Sequence, residues 1–336
     1  MNLASSTAFA LMLQVSASLF AAEGGFTLAR TPAGGVEVKI DGKPFATYVI
    51  DQGNKPFLWP IYGPTGKPMT RAYPMENVPG EQRDHIHQRG LTFGHEDIDA
   101  HTDTWQERAT YEEMLKDPKR EATGRKRLPH VGSERHRDFT ELKANHDQAV
   151  IVETLDYLDA HGKRLLSEER RITFHLIGDM RAIDFDQDLI ASDGPVTFGD
   201  AKDAGLGIRV PTPMAVDSKQ GGRIINSNGV EDAAAWAKHA DWCEYDGPVE
   251  GERLGIAFLD HPASFHHPTL WHVRTYGLFC ANPFGAHAFD PKLPESPTQL
   301  EPGERLKLRH RLLFHTGDEK TAKIAEAYEA YAKEER

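Results

Sequence analysis

The stretch Ala182-Ile183-Asp184-Phe185-Asp186-Gln187-Asp188-Leu189-Ile190 alternates apolar and polar residues. Ile183, Phe185 and Leu189 share one face, and Asp184, Asp186 and Asp188 share the other. A period of two is that of a half-buried strand, because successive side chains leave a strand on opposite sides. The aspartate row reads as a solvated face. The same signature recurs on both sides of it. Residues 149–155 and 165–176 form two strands around a turn at Ala160-His161-Gly162-Lys163, and residues 26–29, 36–40 and 45–50 form a further set turned by Asp41-Gly42. More strands are expected at 205–210, 254–259, 270–280 and 306–314. Helix is scarce. Residues 319–333 carry Ile324, Ala325, Tyr328, Tyr331 and Ala332 as one stripe, which makes a C-terminal amphipathic helix lying on a sheet. Many antiparallel strands and one terminal helix argue a mainly β protein built as a large antiparallel β-sandwich.

At 336 residues and 39% hydrophobic, the chain buries a full core, and residues 23–336 read as a single sandwich domain. A charged excursion at about 107–135 stands beside the first histidine cluster described below, as a lid or as a loose insertion. The formal charge of −12 argues against nucleic acid or an anionic membrane as partner, since both need a basic surface. Residues 1–22 read as a signal peptide, with a short apolar stretch and small residues at Ala21-Ala22, although no Lys or Arg precedes it. That predicts a periplasmic or secreted protein. The two cysteines, Cys243 and Cys280, form either one bridge or two separate thiols.

Nine of the 17 histidines fall in two short windows. The first runs Asp84-His85-Ile86-His87-Gln88-Arg89-Gly90-Leu91-Thr92-Phe93-Gly94-His95 and continues to His101 and Trp105. The second runs from Asp260-His261-Pro262 through His266-His267 and Trp271-His272-Val273-Arg274 to His287. Two windows that also carry Arg, Trp and Asp read as halves of one polar pocket. If residues 85–87 are extended, His85 and His87 project to one face. With His95 they form a possible three-ligand site for a divalent metal ion. Without metal they are pocket histidines, and no cofactor is certain. On the second window, His272 and Arg274 share a strand face and suit an oxyanion. His85 or His87 is the candidate base, His272 the acid or electrophile, and Arg274 a clamp.

Candidate substrate contacts are Arg71, Arg89 and His95 from the first segment, and Arg209 from Gly205-Leu206-Gly207-Ile208-Arg209. Trp105, Trp242 and Tyr245 would offer aromatic faces to a sugar ring. His261 and Asn282 complete the set. There is no GxSxG elbow, no P-loop and no strand-linked GxGxxG. What remains is acid/base chemistry by His, Asp or Glu. The reading is an enzyme working on a small-molecule carbohydrate or keto-sugar by elimination, glycoside cleavage or epimerisation. The alternative is a non-catalytic carbohydrate-binding protein.

In these segments the chain resembles the bacterial family known as PmoA-like, or "methane oxygenase PmoA". The matching pieces are Lys55-Pro56-Phe57, Pro60-Ile61-Tyr62-Gly63-Pro64, the 84–95 segment, 205–209, Asp241-Trp242, and 260–285. Gln88 stands where that family's pattern has a histidine. The resemblance implies glycan catabolism. A membrane methane monooxygenase subunit is excluded by a mean hydropathy of −0.54 and the lack of a second long apolar stretch. Paired histidines on a sandwich also look like the galactose-mutarotase type of supersandwich, an analogy at the level of fold.

Overall fold

The computed structural model describes residues 24–99 and 101–336, so the leader expected over residues 1–22 lies outside the described residues. Strand alternation builds two eight-stranded antiparallel sheets. The first orders Phe26–Arg30, Val36–Ile40, Lys43–Val49, Phe57–Ile61, Leu91–His95, Ala204–Arg209, Leu278–Asn282 and Leu270–Val273. The second orders Arg223–Asn226, Trp242–Val249, Glu252–Asp260, Arg305–Thr316, Met180–Ile190, Arg164–Ile177, Gln148–Leu158 and Ser133–Ala144. A two-stranded ribbon pairs Val196–Phe198 with Thr298–Leu300. The sheets close on one apolar core, in which Phe93, Ile208 and Phe279 of the first join Ile172, Phe185 and Leu312 of the second. The core also holds a charged knot. Arg170 donates to Glu168 Oε1 at 2.6 Å and to the Tyr48 hydroxyl, from the opposite sheet, at 2.9 Å.

The alternating strands lie where their period puts them, and the differences have physical reasons. Residues 270–280 form two strands rather than one, because Arg274–Gly277 makes a turn closed by Gly277 at φ +108°. Ser133–Ala144 is a strand although half of its residues are charged and few are apolar. It is the edge of its sheet, where charged side chains discourage pairing with another chain. The excursion before it folds as two short helices, Arg108–Met114 and Glu121–Arg127. The aspartate row is covered, not solvated. Asp184 is bound by Arg311 (Nε at 2.5 Å) and by Arg336 (Nη2 at 2.7 Å), since the segment after helix Ile324–Tyr331 folds back over this face. Cys243 and Cys280 sit on different sheets as buried free thiols. Among the described residues no helix is long and apolar enough to cross a membrane.

Candidate active site

The site lies on the outer face of the first sheet. Leu91, Phe93, Ile208, Phe279, Trp271 and Val273 point into the core, so the residues between them point out. Strand register sets Thr92, Gly207, Cys280 and His272 side by side in one outward row. Two glycines let a further chain segment lie flat on that row. A Cβ at Gly94 would meet Trp105 Cα at 2.9 Å, and one at Gly207 would meet Cys280 Cβ at 3.2 Å and the Trp105 ring at 3.6 Å. Trp105 is therefore laid on the sheet and 4% exposed, packed with Leu278, Cys280 and Tyr276. The cavity beneath His87, Gln88 and Trp105 measures about 10 Å³, room for no more than one water.

Within the first histidine window, residues 85–88 form a turn rather than an extended strand. Gln88 N–H donates to His85 O, and His85 sits at φ +45°, in the left-handed region. Two buried arginines hold the turn. Arg71 donates to Asp84 Oδ1 at 2.5 Å and to the carbonyl of His85 at 3.0 Å. Arg209 donates to Gln88 Oε1 at 2.5 Å, Gln82 Oε1 at 2.8 Å and Asp84 Oδ1 at 2.8 Å. Burial alone would push the Asp84 carboxyl up. The hydrogen bond with His85 and the charges of Arg209 and Arg71 outweigh it and hold Asp84 well below the carboxylate range. Asp84 Oδ2 in turn stands 3.2 Å from His85 Nδ1.

The two histidine windows meet here. The His85 ring stacks on Tyr276 with centroids 4.9 Å apart and planes within 1°. Gln88 Nε2 donates to the Tyr276 hydroxyl at 3.3 Å, and the Arg209 guanidinium lies 4.7 Å from the same ring. Arg274 lies 5.6 Å from Tyr276 and 5.8 Å from Trp236. Among the described residues it has no carboxylate partner. His272 is 2% exposed with Nδ1 unpartnered, 3.9 Å from Asp203 Oδ1. Burial, helped by Arg274, pushes its imidazole down to about 3. Burial and the charge of Lys55 likewise hold His87 far below the histidine range, and its Nδ1 stands 3.3 Å from Thr110 of the excursion.

Beside His272 stands a carboxyl pair. Asp203 N–H donates to Glu96 Oε1 at 3.1 Å, and Glu96 N–H donates to the Asp203 carbonyl at 3.0 Å. Burial and the nearby Asp203 push Glu96 up to about 7 despite Arg127, which donates to Glu96 Oε2 at 2.7 Å. Burial also raises Asp203. Arg127 belongs to the excursion, so the excursion is pinned to the site through Glu96, Asp103 and Thr110.

Several expected contacts lie elsewhere. His95 is fully enclosed between Phe198 and Phe284, because it occupies the core side of its strand. Burial takes its imidazole down to about 3. It therefore does not complete a metal site with His85 and His87. Trp242 packs under the C-terminal helix with Ile324 and Tyr331 on the second sheet, and is no sugar platform. His261 stands edge-on to Tyr331, with Nε2 3.1 Å from the Glu334 carbonyl. Tyr245 lies between the sheets, its hydroxyl donating to the Thr275 carbonyl at 3.0 Å. Asn282 spends its amide on Ala201 O and Lys202 O and so props Asp203 from behind. Arg89 is paired twice with Glu107, at 2.5 and 2.9 Å. Asp203, Glu96 and Tyr276 were not singled out by the sequence reading. For Glu96 and Asp203 the one signal is position, at the ends of the strands that carry Gly94 and Gly207. Among the described residues, only Glu244, Asp246 and Glu319 bring three potential metal ligands within 4.8 Å of one another, the first two on the second sheet and Glu319 in the segment before the C-terminal helix.

A family of unknown function (DUF6807) matches residues 35–329. The chain belongs to this family. That corrects the expected PmoA-like membership, and the sandwich has no membrane-crossing helix among the described residues. No curated protein matches the chain. Among solved structures, the chain is similar to a GH36 α-galactosidase from Geobacillus stearothermophilus at 10% identity and a TM-score of 0.37, covering 87% of this chain. It spans only 41% of that enzyme's length. It is also similar to a galactose 1-epimerase from Lactobacillus acidophilus at 11% identity and a TM-score of 0.36, covering 88% of this chain and 99% of that one.

Proposed function

We propose that this cleft is the active site of an enzyme that moves protons on a carbohydrate or keto-sugar. One observation carries the reading. On one outer face of the first sheet, the surroundings of Asp84 hold its carboxyl low while burial holds those of Glu96 and Asp203 up, and His85 is exposed beside Asp84. Carboxyls whose surroundings drive their pKa values apart are the pattern of a working acid and base. Asp84 accepts His85 Nδ1–H, which turns the imidazole's Nε2 lone pair toward substrate. His85 then takes a proton from a carbon next to a carbonyl. The negative charge that develops on the carbonyl oxygen meets Arg274 and the neutral His272. Asp203, its carboxyl raised by burial, returns a proton to the opposite face in epimerisation, or to a departing hydroxyl in elimination. Direct glycoside hydrolysis fits less well, because it needs two carboxyls across the scissile bond. Glu96 and Asp203 lie together, the Asp203 backbone N–H donating to the Glu96 carboxyl.

The test incubates the protein with reducing sugars, keto-sugars and β-eliminable glycosides in D₂O and follows carbon-bound protons by NMR. Deuterium uptake or a new alkene in one class, lost in His85→Gln and Asp203→Asn variants with wild-type circular dichroism, is the expected result. Saturable sugar binding with no exchange would make this a binding protein, and turnover that survives both substitutions would remove the assigned base and acid.

A further inference from the structure

A second buried polar cluster occupies the outer face of the other sheet, under the start of the C-terminal segment. Strand register puts Asp246 opposite Gly255, and Gly255 opposite His315. The His315 ring lies across Gly255, where any Cβ would collide with it. The missing side chain lets the imidazole reach toward strand Trp242–Val249, and Nε2 ends 3.5 Å from Glu244 Oε1. His315 Nδ1 stands 3.3 Å from the Thr316 carbonyl. Donating its proton there leaves Nε2 as a lone pair. Nε2 has no hydrogen-bond partner, nor has either carboxylate oxygen of Glu244. His315 is 1% exposed and Glu244 fully buried. Lone pairs facing one another in a dry site are costly unless something positive sits between them.

The remaining carboxylates complete the arrangement. One ligand atom each from Glu244, Asp246 and Glu319 falls within 4.8 Å of the others. Arg223 bridges Asp246 and Glu319, and Arg253 pairs with Asp246, which holds both carboxylates in place beside Glu244. We infer that the Glu244, Asp246 and Glu319 carboxylates bind one divalent cation and that His315 Nε2, 3.5 Å from Glu244 Oε1, closes on it as a fourth donor, a mixed imidazole and carboxylate set suiting Zn²⁺ or Mn²⁺. Glu319 precedes helix Ile324–Tyr331, so the cation ties that segment to the sheet. The site is independent of the proposed active site.

The experiment measures metal content after chelator-free purification, then thermal melts of the full chain in EDTA and with Zn²⁺, Mn²⁺ or Ca²⁺ added back. The expected result is about one equivalent of Zn or Mn per chain, with Tm higher by about 4 °C when the cation is saturating. Glu244→Gln and His315→Gln should fold, hold less than about a tenth of an equivalent, and melt alike with and without cation. Glu319→Gln, at the rim, should weaken the cation at least about tenfold while leaving the sheet residues intact. A wild-type chain that takes up no cation and melts identically in EDTA would overturn the proposal and leave Glu244 and His315 as a proton-sharing pair. Retention of the metal by His315→Gln would remove His315 from the ligand set.

Discussion

Replacing His272 with Gln removes a buried base from the cleft, and the consequence shows in how stability depends on pH. An imidazole in the unfolded chain titrates near 6.5. In the fold, burial and Arg274 take His272 down to about 3. At pH 7 neither state carries the proton. At pH 5 the unfolded chain has bound one and the folded chain has not, so stability falls with acidification. The stabilisation tied to this group is complete above about 6.5 and is lost as pH falls toward the folded value. Between 6.5 and 5 the loss is about 1.4 kcal/mol per pH unit over about 1.5 units, roughly 2 kcal/mol. The size is set by the unfolded pKa and the assay pH, and depends little on the folded value while that stays below about 4. His95, which burial also takes down to about 3, and Glu96, raised to about 7, titrate in both proteins and cancel in the comparison. Urea unfolding of wild type and His272→Gln at pH 7 and pH 5 isolates the term. The wild type should lose about 2 kcal/mol more than the variant over that interval. An equal loss, within about 0.5 kcal/mol, would mean that His272 is not held neutral and would refute the reasoning.

Three further substitutions separate the cleft from the rest of the molecule. Arg274→Ala should change stability by less than about 0.5 kcal/mol, since among the described residues the guanidinium pairs with no carboxylate, yet weaken substrate turnover at least about tenfold. Trp242→Ala should do the reverse, costing about 3 kcal/mol in urea unfolding by emptying the seat of the C-terminal helix, with turnover within about twofold of wild type. Arg209→Met should cost about 2 kcal/mol, less than a fully buried pair because Asp84 is 40% exposed. It should also loosen the 82–88 turn, measured as faster amide hydrogen exchange at Gln88.

Alternation at period two was enough to read the sandwich, because strands such as Met180–Ile190 bury one face and present the other. Ser133–Ala144 escaped the same reading, since an edge strand is charged along its length for reasons of solubility. The histidine windows pointed to the cleft, and the contacts of His85 with Tyr276 join them. What the windows could not convey was which side of the sheet each residue takes. His95 is separated from His87 by a core-facing position, and Trp242, His261 and Asn282 serve the second sheet, the C-terminal segment and the Asp203 loop. Asp203 and Glu96 gain their character from burial against each other across more than a hundred residues of chain, a juxtaposition without a local pattern. Asp184 and Asp186 misled for the same reason, being covered by a terminus remote in sequence.

The central claim is that a carboxyl pair in this cleft holds a proton near neutral pH while Asp84 does not. Carboxyl ¹³C shifts of Asp- and Glu-labelled protein, followed from pH 9 downward and assigned with Glu96→Gln, Asp203→Asn and Asp84→Asn, measure it without knowing the substrate. The account predicts a Glu96 transition near 7, an Asp203 transition above the ordinary aspartate range, and Asp84 ionised throughout the range in which the protein stays folded. Ordinary acidic transitions for both Glu96 and Asp203 would leave the cleft without its acid and contradict the account.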